Sequence, residues 1–297
     1  MKKVKNSILI LSLFVFSKMF SQEAPEVRFS TMDDQILTEE VAYEYLLANH
    51  VRLRKGPSIS SKKITTLDIG TKMKVLEQSK NTEEINGIKS SWYKVRIEDK
   101  EDGWIWGGFI AQNSFGSITN SEIKFVFGYE NTGENEAGEF EENYQIRAFK
   151  NGVQLDKIVF KSSTISYWQV KNIGNKGIYN VEDIINLYIP CNVAYGCESG
   201  DSYIFWNNNK FFYVADLLDC ENGEFSESES LVFPSDMDGE KGVIIKKTSK
   251  VVDMRMQESD STTIKREVIK TYYKWVGNKL VQTNKAPSVL NYMVVSN

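Results

Sequence analysis

In VRLRKGPS the apolar Val51 and Leu53 alternate with Arg52 and Arg54, the period of two that marks a strand with one buried face. Gly56 and Pro57 end the run, glycine allowing the bend and proline withholding a backbone donor. After a polar loop, Lys63 to Leu67 predicts a second short strand, and Asp68, Ile69 and Gly70 a tight turn. Lys72 to Glu77 alternates again, with Met73 and Val75 on one face. Ser79 to Ser91 is polar and contains Asn86-Gly87, so a loop or hairpin tip is expected there. Trp92 to Ile97 sets Tyr93, Val95 and Ile97 against Trp92, Lys94 and Arg96. Gly103 to Trp106 is a last strand, in which Trp104 and Trp106 share a face opposite Ile105. Short strands so closely spaced predict a small barrel.

The flanks pattern differently. Residues 22–44 are a polar lead segment in which Thr38, Glu39 and Glu40 suit the start of a short helix, although Tyr43 to Ala48 fits a strand equally well. From 118 to 297, short aromatic and β-branched runs recur between Gly, Asn and Asp turns. Hairpins are expected at Asn151-Gly152, at Asn207 to Asn209 and at Gly277-Asn278. Val181 to Leu187 is the one helix this region predicts. The rest reads as antiparallel sheet, a sandwich or an irregular barrel. The fold class is mainly β: a small N-terminal barrel, then a larger antiparallel β domain.

Together VRLRKGPS, KITTLDIGTKMKVLEQ, WYKVRI and DGWIWGGFIA resemble the bacterial Src-homology-3-type (SH3-like) barrel over about residues 45–113. That family runs as a strand ending in a Gly-Pro-Ser loop, a strand pair about a glycine turn, a Trp-Tyr-x-Val strand and a Gly-Trp-Ile/Val strand. Its members often attach to cell-wall peptides or partner proteins, which is the function the resemblance implies. Two departures stand out: Arg52, where many members carry a small polar residue, and the long segment after Gln78. Both fall where a ligand groove would lie. The residues 118–297 resemble no family on these grounds.

Composition narrows the function. Lys2, Lys3 and Lys5 precede an apolar run from Ile8 to Phe16, and small Ser21 follows, the layout of a signal peptide over residues 1–21. The run is about half of the ~20 residues a membrane span needs. An exported protein, periplasmic or extracellular, with no transmembrane segment in the mature chain, is expected. Removing residues 1–21 takes four lysines and no acids, moving the formal charge from −4 to −8. Such a chain lacks the clustered positive charge that nucleic acid requires. Export favours one disulfide among Cys191, Cys197 and Cys220. Pairing Cys191 with Cys197 is worth roughly 2.4 kcal/mol on the chain-entropy relation, and Cys197 with Cys220 roughly 3.4 kcal/mol. The difference does not decide between them; the short Cys191–Cys197 loop is the expectation, with reduced cysteines the alternative.

Candidate chemistry is sparse. The single histidine, His50, lies beside the first barrel strand, far in sequence from any cysteine, and no nucleophile motif accompanies it. No phosphate loop, dinucleotide fingerprint or serine elbow occurs, so neither catalytic residues nor a cofactor are expected. Asp236, Asp238 and Glu240, with Gly239, have part of the spacing of a calcium loop, though a plain acidic turn fits the same residues. Acids cluster at Glu134 to Glu142 and Glu221 to Glu229, and a glycosidase needs two carboxylates about 5–10 Å apart. A carboxylate-dependent hydrolase of glycan or peptide is therefore the alternative to a non-enzymatic binding protein, and an inert envelope component is a third class. For binding, Arg52, Arg54, Trp92, Tyr93 and Trp106 are the candidate ligand residues. Aromatic rings offer flat apolar area and guanidinium groups meet carboxylates bidentately, a combination suited to peptidoglycan peptides or a segment of an envelope protein.

Overall fold

The computed structural model describes residues 26–27, 43–134, 140–162, 169–189, 197–221, 225–255 and 262–296. The segment expected to be a signal peptide, residues 1–21, lies outside them, as do positions 38–42 of the possible first helix. Among the described residues no helix is long and apolar enough to cross a membrane.

The first sheet comprises β1 (Glu26–Val27), β2 (Glu44–Tyr45), β3 (Val51–Arg54), β4 (Lys63–Leu67), β5 (Lys72–Ile85), β6 (Ile88–Arg96) and β7 (Gly103–Trp106). Its order is β2-β5-β6-β7-β3-β4, with β1 running parallel to β6 beside Lys89 and Ser90. The lead segment thus contributes a strand. Leu53, Val75, Tyr93, Val95 and Ile105 are fully buried in one core with Leu46, Met73 and Ile110. The alternation read from the sequence therefore points inward as expected. The polar stretch after Gln78 is not a loop: β5 and β6 continue through it as a long two-stranded arm that turns at Asn86 and Gly87. Both turn residues have positive φ, as a type I′ hairpin requires.

The second sheet is β8 (Asn113–Gly116), β9 (Lys124–Glu134), β10 (Phe140–Lys150) and β11 (Val153–Ser162), in the order β11-β10-β9-β8. It begins ahead of residue 118. The third is a meander of β12 (Gln169–Asn172), β13 (Asp183–Ile189), β14 (Cys197–Asn207), β15 (Lys210–Glu221), β16 (Phe225–Val232), β17 (Ile244–Arg255), β18 (Thr262–Val276) and β19 (Lys279–Gln282), with β20 (Ser288–Ser296) pairing β18. The second and third sheets face each other across Phe125, Phe127, Tyr144, Ile146, Ile185, Leu187, Ile204 and Trp206. A further core, with Ile184, Phe205, Leu231, Phe233 and Ile244, fills the opposite side of β13 and β14.

That double burial explains why the helix expected over Val181 to Leu187 is a strand. Ile185 and Leu187 enter one core and Ile184 the other. An apolar run buried on both faces has no period that distinguishes strand from helix. Asp183 locks the strand's start. Its buried carboxylate accepts hydrogen bonds from Ser117 Oγ, the Ile118 amide at 2.8 Å and Asn172 Nδ2 at 2.9 Å.

The barrel packs on the second sheet through Leu47, Ile69, Ala111, Val126 and Phe149. The tip of the β5–β6 arm docks there as well. Thr132 on β9 donates its amide to Asn86 O at 3.0 Å and its hydroxyl to Gly87 O at 2.7 Å.

Candidate functional site

Outside the barrel core, β6 and β7 place Trp92 and Trp106 directly opposite each other. They floor a depression of about 270 Å³ whose other lining includes Arg52, Arg54, Ile59, Ile85 and Phe109. Residue type and position follow from local structure. The β3 alternation that buries Val51 and Leu53 turns both arginines outward. Trp106 is held by two constraints. Its Nε1 donates to Glu83 O at 3.0 Å, and its ring lies over Gly108, where a Cβ would sit 2.1 Å from ring carbons. Phe109 meets Trp106 edge-to-face at 5.1 Å.

The walls are tied together. Arg54 Nη1 donates to Ser61 O at 2.7 Å, the Ile59 amide to Glu83 Oε1 at 3.2 Å and Asn81 Nδ2 to Pro57 O at 3.3 Å. The Gly-Pro-Ser loop is thus fastened to the long arm. Arg52 is exposed and forms no ion pair among the described residues. No carboxylate lines the depression. His50 lies at its rim, paired at 3.5 Å with exposed Asp68 rather than with any thiol. The indole N–H of Trp92 is buried and has no acceptor among the described residues.

A second depression, of about 100 Å³, also includes Trp106 and Phe109 in its lining. The barrel gives it Leu47, Ile85, Asn86 and Ile88; the second sheet gives it Tyr129, Glu130, Gln145 and Arg147. Ile85, Trp106 and Phe109 line both depressions. Glu130 pairs with Lys157 at 2.7 Å and with Arg147 at 3.9 Å. Arg147 Nε donates to Gln145 Oε1 at 2.6 Å. Burial draws the Arg147 guanidinium below its ordinary value, and Glu130 opposes that shift.

Of the five residues read from the sequence, Arg52, Arg54, Trp92 and Trp106 line one depression. Tyr93 does not: it is fully buried in the barrel core beside Val95 and Ile105, because alternation sends it to the face opposite Trp92. Ile59, Ile85 and the whole second-sheet contribution were not foreseen. Their only signal was the Asn86-Gly87 turn at the end of the long segment.

In the acidic turn of Asp236, Asp238 and Glu240, two of the three carboxylates have protein partners. Asp236 closes a turn onto the Phe233 amide at 2.8 Å and pairs with Lys176 at 3.0 Å, while Glu240 pairs with Lys285. No group of three or more metal-ligating side chains converges among the described residues. Cys191 lies outside the described residues, so the Cys191–Cys197 pairing does too; Cys220 is a free, exposed thiol. Of the two acidic clusters, residues 135–139 and 222–224 are likewise outside. Glu227 and Glu229 are paired with Lys250 and Lys246.

Residues 49–111 match the family model of the bacterial SH3 domain. The match spans β3 to β7 and the turn carrying Phe109, so the N-terminal barrel is a bacterial SH3-like domain. No curated protein and no solved structure matches the chain.

Proposed function

We propose that this protein is an exported, non-enzymatic binding protein of the cell envelope, whose barrel groove holds a short carboxylate-bearing peptide of the cell wall or of a partner protein. The observation that carries the reading is the depression over Trp92 and Trp106: an apolar floor, two guanidinium groups and no lining carboxylate. In a chain of net charge −4, a cationic groove selects for acidic ligands. Apolar walls with a few convergent polar groups are what small-ligand sites are made of. Export is supported by the basic and apolar start of the chain and by the kind of domain the barrel is. The hydrolase alternative draws less support. Neither depression brings two carboxylates together, and the one carboxylate in the second is engaged by Lys157.

The test is retention of the full chain on purified peptidoglycan, with Arg52→Ala and Arg54→Ala beside it. Losing a charge-assisted contact predicts binding weakened about tenfold by Arg52→Ala, at an unchanged melting temperature. Equal retention of all three proteins, or none of the wild type, would count against the reading.

A further inference from the structure

The two depressions are neighbours that share Ile85, Trp106 and Phe109 in their linings, the last two in edge-to-face contact. The long β5–β6 arm walls both. Its tip is bonded to Thr132, which fixes the barrel groove against the second sheet. Through Ile85, Trp106 and Phe109 the lining of the barrel depression leads into one that the second sheet walls with Tyr129, Glu130, Gln145 and Arg147.

The charges agree along that line. At the barrel end stand Arg52 and Arg54. At the far end two cations, Arg147 and Lys157, share one carboxylate, Glu130. The far end has one positive charge in excess; at the barrel end the two guanidinium groups line the depression, while the Glu83 carboxylate that holds the Ile59 amide does not. The room is small: about 270 Å³ and about 100 Å³ together fall near the low end of the ~300–1,000 Å³ of small-ligand sites. That is space for a short peptide rather than for a folded partner.

We propose that the site is composite: a short peptide with at least two carboxylates, of the kind that branches from cell-wall glycan, spans from Arg52 and Arg54 over Trp106 and Phe109 to the Arg147–Lys157–Glu130 cluster of the second sheet. This rests on the reading of the barrel groove as a peptide site. It makes the second sheet a part of recognition, and the long arm the element that aligns the two halves.

The probe is the soluble stem tetrapeptide L-Ala-γ-D-Glu-L-Lys-D-Ala, titrated into the full chain by calorimetry. Glu130→Gln leaves two cations unopposed, so the tetrapeptide binds about two- to fivefold more tightly; Lys157→Gln weakens it by a similar factor. The dipeptide L-Ala-γ-D-Glu reaches only the barrel end and responds to Arg52→Ala but not to Glu130→Gln. If the tetrapeptide binds, weakens with Arg52→Ala and ignores both Glu130→Gln and Lys157→Gln, the composite site is wrong and the barrel groove stands. If the wild type binds neither the tetrapeptide nor the linear acidic peptide acetyl-Glu-Ala-Asp-Ala-amide, both readings fall. If that linear peptide binds more tightly and shows the same Glu130 response, the wall peptide is the wrong occupant and a protein segment replaces it.

Discussion

Glu142 sits buried on β10 and accepts a hydrogen bond from the Tyr144 hydroxyl at 2.6 Å. Burial raises its carboxyl above the ordinary 4.5, and the tyrosine hydrogen bond only partly offsets this. A raised carboxyl binds protons more readily folded than unfolded. The folded state is therefore penalised once pH exceeds the folded value, and the penalty vanishes below the unfolded one. Glu142→Gln is expected to melt higher than the wild type at pH 7, and the gap to close as pH falls through the ordinary glutamate range. A constant gap from pH 7 to pH 4 would show that the carboxyl is not the source. The residue pattern marked Glu142 only as the end of an acidic cluster, where solvated loops are the rule, and gave no sign of its burial. Tyr93 shows the opposite case. Its alternation with Trp92 was legible, but the depth of its burial depended on strands contributed from elsewhere in the chain.

Hairpins were the most legible elements. Asn151 with Gly152, Asn208 with Asn209, Gly277 with Asn278, and Asn86 with Gly87 all adopt positive φ at their turns. That preference is local, so a dipeptide announces it. What the dipeptide does not announce is whether a tip is free or docked. A Cβ on Gly152 meets nothing within 4 Å, whereas on Gly87 it would lie 2.1 Å from Thr132 O. Gly152→Ala should cost only the left-handed backbone term, about 1–2 kcal/mol. Gly87→Ala should cost at least about 1 kcal/mol more in urea denaturation, since a backbone oxygen has to move. Equal costs would mean that the arm is not seated on β9. The strand β13 was illegible for a related reason: burial on two sides erased its period.

At the scale of the whole molecule, the barrel and the second sheet share one apolar junction. Phe149, buried on β10, packs there with Leu47, Ile69, Ala111 and Val126, and lies over Gly70. Phe149→Ala should destabilise by about 3–5 kcal/mol through lost burial and the cavity left behind. Because the lost contacts bridge the two parts, calorimetry should show the barrel and the larger β region separating into two transitions. A single transition at an unchanged temperature would show that the junction does not hold them together.

By itself the chain determined its strand class, its turn positions, its inward aliphatics and the outward arginines of β3, because alternation and turn preference act over a handful of neighbouring residues. Only the tertiary structure decided that the polar segment after Gln78 is an arm, that its tip rests on Thr132, and that Trp106 lines two depressions. Those outcomes depend on contacts between residues far apart in the chain, such as Glu83 with Ile59 and Thr132 with Gly87, and no local period encodes them.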